Sequence, residues 1–184
     1  SLRTRNGGFV PTNDSNLVVT AEWESSPNSV SLFLPQCKAA MGFFGQTAGA
    51  GPTNLIAAEG VWFGARETDT NWQFASQFFG GSGNYWTDAA GAFGAIVDTG
   101  VAVSGATTRM RIEIYGAHSS FGTARALGYI NGALVGEIAA ADLPASYMGW
   151  GMEIYRVSTT GTRSIAVGPL KIVHNRRVRS DDVL

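Results

Sequence analysis

The chain has 184 residues, 45% of them hydrophobic and 15% charged, with a formal net charge of −1. That is enough apolar material for one domain with its own core, and it excludes disorder by composition. A charge near zero gives no global field to attract nucleic acid or an anionic membrane, so neither is expected as a partner.

Glycine is abundant, at 24 residues, whereas lysine occurs only at Lys38 and Lys171. Helical surfaces draw on Lys, Glu, Ala and Leu, so this composition favours strands and turns. The single cysteine, Cys37, has no partner for an internal disulfide and is expected as a small buried filler. No stretch reads as a bilayer span or a signal peptide.

Period-two segments separated by turn residues run from end to end. Strands are expected at 17–23, 30–34 and 38–44, then a Gly/Ala/Pro-rich loop at 45–58. Two more, at 61–66 and 72–79, are joined by a turn ending at Asn71. A second long loop, 80–94, precedes a short strand region at 96–103. The clearest strand is 109–115: Met110, Ile112 and Ile114 alternate with Arg109, Arg111, Glu113 and Tyr115, as one buried sheet face requires.

Strands at 126–130 and 133–138 flank Asn131-Gly132, the dipeptide suited to a two-residue type I′ hairpin. Trp150, Met152 and Ile154 alternate on the next strand, and 163–167 and 170–173 close the set. About a dozen strands and no convincing helix imply an all-β fold, a two-sheet antiparallel jelly-roll sandwich. The expected organisation is an arm at 1–16, the jelly roll at 17–173 and a charged tail at 174–184.

Several segments carry a resemblance. They are Val61-Trp62-Phe63-Gly64-Ala65-Arg66 with Asp69-Thr70-Asn71-Trp72-Gln73-Phe74, then Val97-Asp98-Thr99-Gly100-Val101 and Arg109-Met110-Arg111-Ile112-Glu113-Ile114. Gly128-Tyr129-Ile130-Asn131-Gly132-Ala133-Leu134-Val135 and Asp142-Leu143-Pro144 follow. In this order, over 61–173, they resemble concanavalin A-like (laminin-G-like) jelly rolls, in the version common in tailed-bacteriophage virion proteins. Gly168-Pro169 departs from that version, which often has an acidic residue there. The resemblance implies a fold shared by lectins, glycoside hydrolases, polysaccharide lyases and structural virion domains, so a site must decide the function.

Retaining glycosidases need two carboxylates about 5 Å apart, which the jelly-roll glucanases carry in an E-x-D-x-x-E run. No such run occurs here; Glu22, Glu24 and Glu113 read as residues of an exposed strand face. The lyase relatives use a Gln-x-His segment with a nearby Tyr, whereas His118 and His174 read as solvated loop and tail residues. No zinc spacing and no phosphate cradle is found, so no cofactor, metal or catalytic residue is expected.

Two segments remain as candidate binding sites. Asn84, Tyr85, Trp86 and Asp88 combine aromatic faces for sugar rings with groups that reach hydroxyls. Arg176, Arg177 and Arg179 suit an interface with another chain. Trp23, Trp62, Trp72 and Trp150 are expected as core or sheet-face residues. These readings lead to a non-enzymatic virion protein, a capsid decoration or accessory assembly component. Its expected partners are other virion proteins of capsid or tail and further copies of itself. The alternatives are a fibre tip that recognises host surface glycan and, behind it, a free carbohydrate-binding module.

Overall fold

A computed structural model of the chain describes residues 2–3, 17–27, 37–45, 59–66, 69–77, 94–117, 122–145, 148–156 and 164–175. The described residues form twelve strands: β1 (Leu2–Arg3), β2 (Val18–Pro27), β3 (Cys37–Gly45), β4 (Gly60–Ala65), β5 (Asn71–Gln77), β6 (Ile96–Ala102), β7 (Thr108–Tyr115), β8 (Arg125–Ile130), β9 (Ala133–Ala139), β10 (Met148–Arg156), β11 (Ile165–Val167) and β12 (Lys171–Asn175). Their one helical piece is a 3₁₀ turn at Ala140–Asp142. The strand expected at 30–34 and the side chain of Cys37 lie outside what is described.

The strands build two antiparallel sheets. Sheet I has the order β1-β10-β3-β4-β5-β6, and sheet II the order β11-β2-β7-β8-β9, with β12 also paired to β2. The fold is the expected all-β, two-sheet jelly-roll sandwich. β11 and β12 share one edge of β2, against Ser25–Pro27 and Val18–Glu22 respectively. Gly168-Pro169 makes the break between them. The Gly168 amide donates to the Glu24 carbonyl at 2.9 Å, while Pro169 has no amide to give to a ladder. His174 stands within β12, opposite Val19.

Alternation decides which face each strand buries. On β7, Thr108, Met110, Ile112 and Ile114 are buried, while Arg109, Arg111, Glu113 and Tyr115 look outward. β4 and β5 show no such alternation because they are buried on both faces, the pattern of strands covered from two sides. Trp23 sits at the centre of the core, edge-on to Phe63 at 6.3 Å and to Trp150 at 5.9 Å. Phe63 packs on Phe74 at 5.0 Å. Burying each such side chain contributes about 1.5–3 kcal/mol.

Glycines set the depth of this packing. A Cβ on Gly128 would stand 2.8 Å from the Phe74 ring and 3.0 Å from Phe63, and one on Gly136 would stand 2.9 Å from Phe74. Sheet II therefore leaves its own surface bare where the sheet I aromatics press in. Trp62 points to the other side of sheet I, where its indole lies near positions 60 and 64: Cβ atoms there would meet the ring at 3.0 and 3.2 Å. Trp23, Trp72 and Trp150 are core residues and Trp62 is a sheet-face residue, as expected.

The β8–β9 connection is a two-residue hairpin, with Ile130 opposite Ala133. Asn131 and Gly132 have φ of 51° and 84°, the pair of positive angles that a type I′ turn demands. Asn131 also extends the ladder: its amide donates to the Arg109 carbonyl at 2.8 Å, and its Oδ1 accepts from the Arg109 amide at 3.0 Å.

Candidate functional site

Two outer sheet faces carry polar chemistry, and they differ in how much of it is already engaged. On sheet II, Arg109 Nε lies 2.7 Å from Glu22 Oε1, and Arg111 stands 4.0 Å over the Tyr129 ring. Arg111 Nε is 3.3 Å from Glu113 Oε1, in ion-pair range but not aligned for a hydrogen bond. The Tyr115 hydroxyl donates to Glu113 Oε2 at 2.9 Å, and Arg125 stands 5.6 Å from the Tyr115 ring and 3.9 Å from Glu137. Glu22, Arg109, Arg111, Tyr129, Asn131 and Gly132 line a shallow depression of ≈ 400 Å³. Glu22, Glu24 and Glu113 thus lie on an outward strand face, as expected.

This face is internally paired. Cations and anions of neighbouring strands neutralise one another, and the two tyrosine rings already carry guanidinium groups. Burial first, and the bond to Glu113 second, push the Tyr115 phenol up to about 12; burial also raises Tyr129. Both phenols therefore hold their protons at neutral pH. Because the folded state favours neutral Tyr115, its contribution to stability is complete below the ordinary phenol value near 10 and is lost as pH rises through about 12. Denaturant unfolding across that window should show a loss of stability that Tyr115→Phe reduces.

The outer face of sheet I is organised differently. One row across it holds Ala40, Gly64, Gln73 and Asp98, and the next holds Gly42, Trp62, Ala75 and Ile96. Asp98 is exposed and oriented: its Oδ1 accepts from Asn71 Nδ2 at 2.9 Å and from the Gly100 amide at 2.8 Å. The Gly100 amide, then Asn71, hold its carboxyl below the usual carboxylate range. Ile96 beside it is 39% exposed.

Deeper in the same face Phe44 stacks on Trp62 at 5.5 Å and 15°. Gln77, on the row of Phe44 and Gly60, is 6% exposed, and its Oε1 has no hydrogen-bond partner among the described residues. Buried acceptors are rarely left in that state. The outer face of sheet I thus presents a fixed carboxylate and an apolar neighbour on β6, while Gln77 and the Trp62–Phe44 stack lie beneath the surface.

The residues singled out from sequence do not enter this geometry directly. Asn84, Tyr85, Trp86 and Asp88, together with Arg176, Arg177 and Arg179 and His118, lie outside the described residues. Asn71 was expected at the end of a turn, and Gln73 and Asp98 as strand residues. Their common signal was outward alternation, but bringing Gln73 opposite Asp98 required the β5–β6 register. Among the described residues no group of three or more His, Cys, Asp or Glu side chains is placed to hold a metal ion.

No family model matches the chain, and no curated protein matches it. Solved structures do match in fold. The carbohydrate recognition domain of Emp47p superposes with a TM-score of 0.56 at 11% identity, covering 90% of this chain and 73% of that one. The endo-β-1,4-glucuronan lyase of the fungus Trichoderma reesei gives 0.55 at 14% identity, covering 92% and 71%. The marine PL7 alginate lyase AlyA1 of Zobellia galactanivorans gives 0.51 at 18% identity, covering 92% of this chain and 65% of its own.

Lectins and polysaccharide lyases share this fold. The expectation that the chain is not an enzyme is corrected by that finding. It rested on a missing pair of carboxylates, which is a requirement of glycosidases, and on reading His118 and His174 as solvated residues outside a lyase-like Gln-x-His segment. Lyases cleave by eliminating across the sugar ring and need a base and a neutraliser instead, so the missing pair does not exclude catalysis on this scaffold.

Proposed function

We propose that the chain is a carbohydrate-binding jelly roll that takes glycan on the outer face of sheet I. One observation carries the reading: the exposed Asp98 carboxylate, held by Asn71 and the Gly100 amide, stands on β6 beside the exposed side chain of Ile96. Sugars offer many hydroxyl donors and an apolar ring face; the Asp98 carboxylate accepts from the first, and Ile96 packs against the second. The fold supports the reading, since a carbohydrate recognition domain and two polysaccharide lyases are built on it. Asn84, Tyr85, Trp86 and Asp88 follow β5 and precede β6 in the chain. In this proposal they add sugar contacts to the same site. The test is glycan binding by Asp98→Ala set against Arg111→Ala, one variant for each face.

The finer reading is a virion component of a tailed phage, with Arg176, Arg177 and Arg179 joining it to other chains. It rests on the order and spacing of the segments over 61–173. Mass spectrometry of purified particles tests it: it requires the chain to be present, and absence would end it.

A further inference from the structure

We infer that the outer face of sheet II is the contact between two copies of this chain, packed back to back about a two-fold axis. The inference stands apart from the glycan site, which lies on the other side of the sandwich and stays open in such a pair.

Two neighbouring rows of side chains cross this face. One reads Glu22, Arg111, Tyr129 and Leu134 from β2 to β9. The next reads Thr20, Glu113, Leu127 and Glu137. A two-fold axis lying between the rows, across the strands at Ile112, turns each row onto the other. Arg111 then meets the partner's Glu113 and Glu113 the partner's Arg111, while Tyr129 and Leu127 cover each other. Glu22 falls on Thr20 and Glu137 on Leu134, so no like charges face each other along these rows. The edge strand keeps the rule, because Lys171 lies opposite Glu22 and Val173 opposite Thr20. An axis along β7 would set Arg111 on Arg111, and one between β7 and β8 would set Glu113 on Leu127. The crosswise arrangement is the one in which the ions complement each other.

The face is also composed as interfaces are. It offers Tyr and Arg, which are enriched in them, and an apolar group open to water, Leu134, 56% exposed. Both ions of the central pair reach the surface, with the Arg111 and Glu113 side chains 34% and 16% exposed. They are ordered before any contact: Arg111 is stacked on Tyr129 at 4.0 Å, and Glu113 accepts from the Tyr115 hydroxyl at 2.9 Å. Little rotamer freedom is therefore lost on association. Sheet II is five strands wide, with β11 and β12 sharing one edge position, and β7 is eight residues long. At normal strand spacings the face measures roughly 600 Å² per copy. A pair then hides roughly 1,200 Å², at the lower bound of specific interfaces. The dimer is one of modest affinity.

Sedimentation equilibrium of the full chain at about 1–200 μM is the test. The wild type is expected to dimerise, and to do so less at high salt. Arg111→Glu alone and Glu113→Arg alone each set like charges across the axis and should weaken self-association at least about ten-fold. Mixed together, the two variants should pair with each other, because the crossed contacts are then Glu to Arg at both places. A role confined to one chain does not predict that recovery, and the recovery itself shows that both variants fold. If either reversal unfolds the chain, concentration-dependent shifts of the wild type take its place and should centre on Arg111, Glu113, Leu127 and Tyr129. A wild type that stays monomeric, variants that dimerise as it does, a mixture that does not pair, or shifts gathered elsewhere would overturn the inference. The face would then belong to another protein or to solvent. None of these results bears on glycan binding at Asp98.

Discussion

Phe74→Ala should lower the melting temperature by about 10 °C, the largest stability loss we expect from a single side-chain truncation. Phe74 is fully buried and packs on Phe63 at 5.0 Å, across the gap that Gly128 and Gly136 leave open in sheet II. Removing a buried Phe costs about 3–5 kcal/mol, because the transfer energy is lost and a cavity remains. For a domain of this size each kcal/mol moves the midpoint by roughly 2–4 °C. Gly128→Ala adds a methyl where the Phe74 ring already stands at 2.8 Å, and overpacking of that kind costs about 1–3 kcal/mol. The two changes meet in one space, so the double variant should lose less than the sum of the singles. Additive losses in a thermal or denaturant melt would show that the two sheets do not interlock at this point. Arg109→Ala is the control: its side chain is 61% exposed, and the lost ion pair should be barely measurable.

Asp98→Ala should abolish most glycan binding while leaving the fold intact. The carboxylate is held by Asn71 and Gly100 before any ligand arrives, so little ordering remains to be done on binding. Hydrogen bonds to a charged acceptor are worth about 1.5–3 kcal/mol, and losing about 2 kcal/mol weakens binding roughly thirty-fold. Because Asp98 is exposed on β6, its removal should shift the melting temperature little. Arg111→Ala should leave glycan affinity unchanged, since its guanidinium is spent on Tyr129 and Glu113 on the other sheet. The reverse pattern, with Arg111→Ala abolishing binding and Asp98→Ala silent, would move the site to the depression on sheet II.

Much of the fold was legible in the chain, and the reason is alternation. β7 carries one apolar face by sequence alone, and Asn131-Gly132 announces its own turn through two positive φ angles. β4 and β5 were found as strands, but their second buried face was not foreseen. A run such as Val61-Trp62-Phe63 does not say which side each ring takes. The divided edge of sheet II was also hidden: Gly168-Pro169 looked like a departure from a pattern, and it proves to be where one edge position passes from β11 to β12.

The candidate site was the least legible part. Asn71 read as a turn residue and Asp98 as a member of a strand. Their meeting depends on pairing across β5 and β6, where the register shifts between Asn71 and Gln73. Irregular pairing of this kind has no local sequence signature.

The site on sheet I is tested most directly by mapping a bound oligosaccharide on the protein, by backbone amide shifts in solution or by a structure of the complex. Contacts and shifts should centre on Asn71, Ile96, Asp98 and Gly100 and should be absent from Arg109, Arg111 and Tyr129. A sugar seated on β7 and β8, with β5 and β6 unperturbed, would contradict the account.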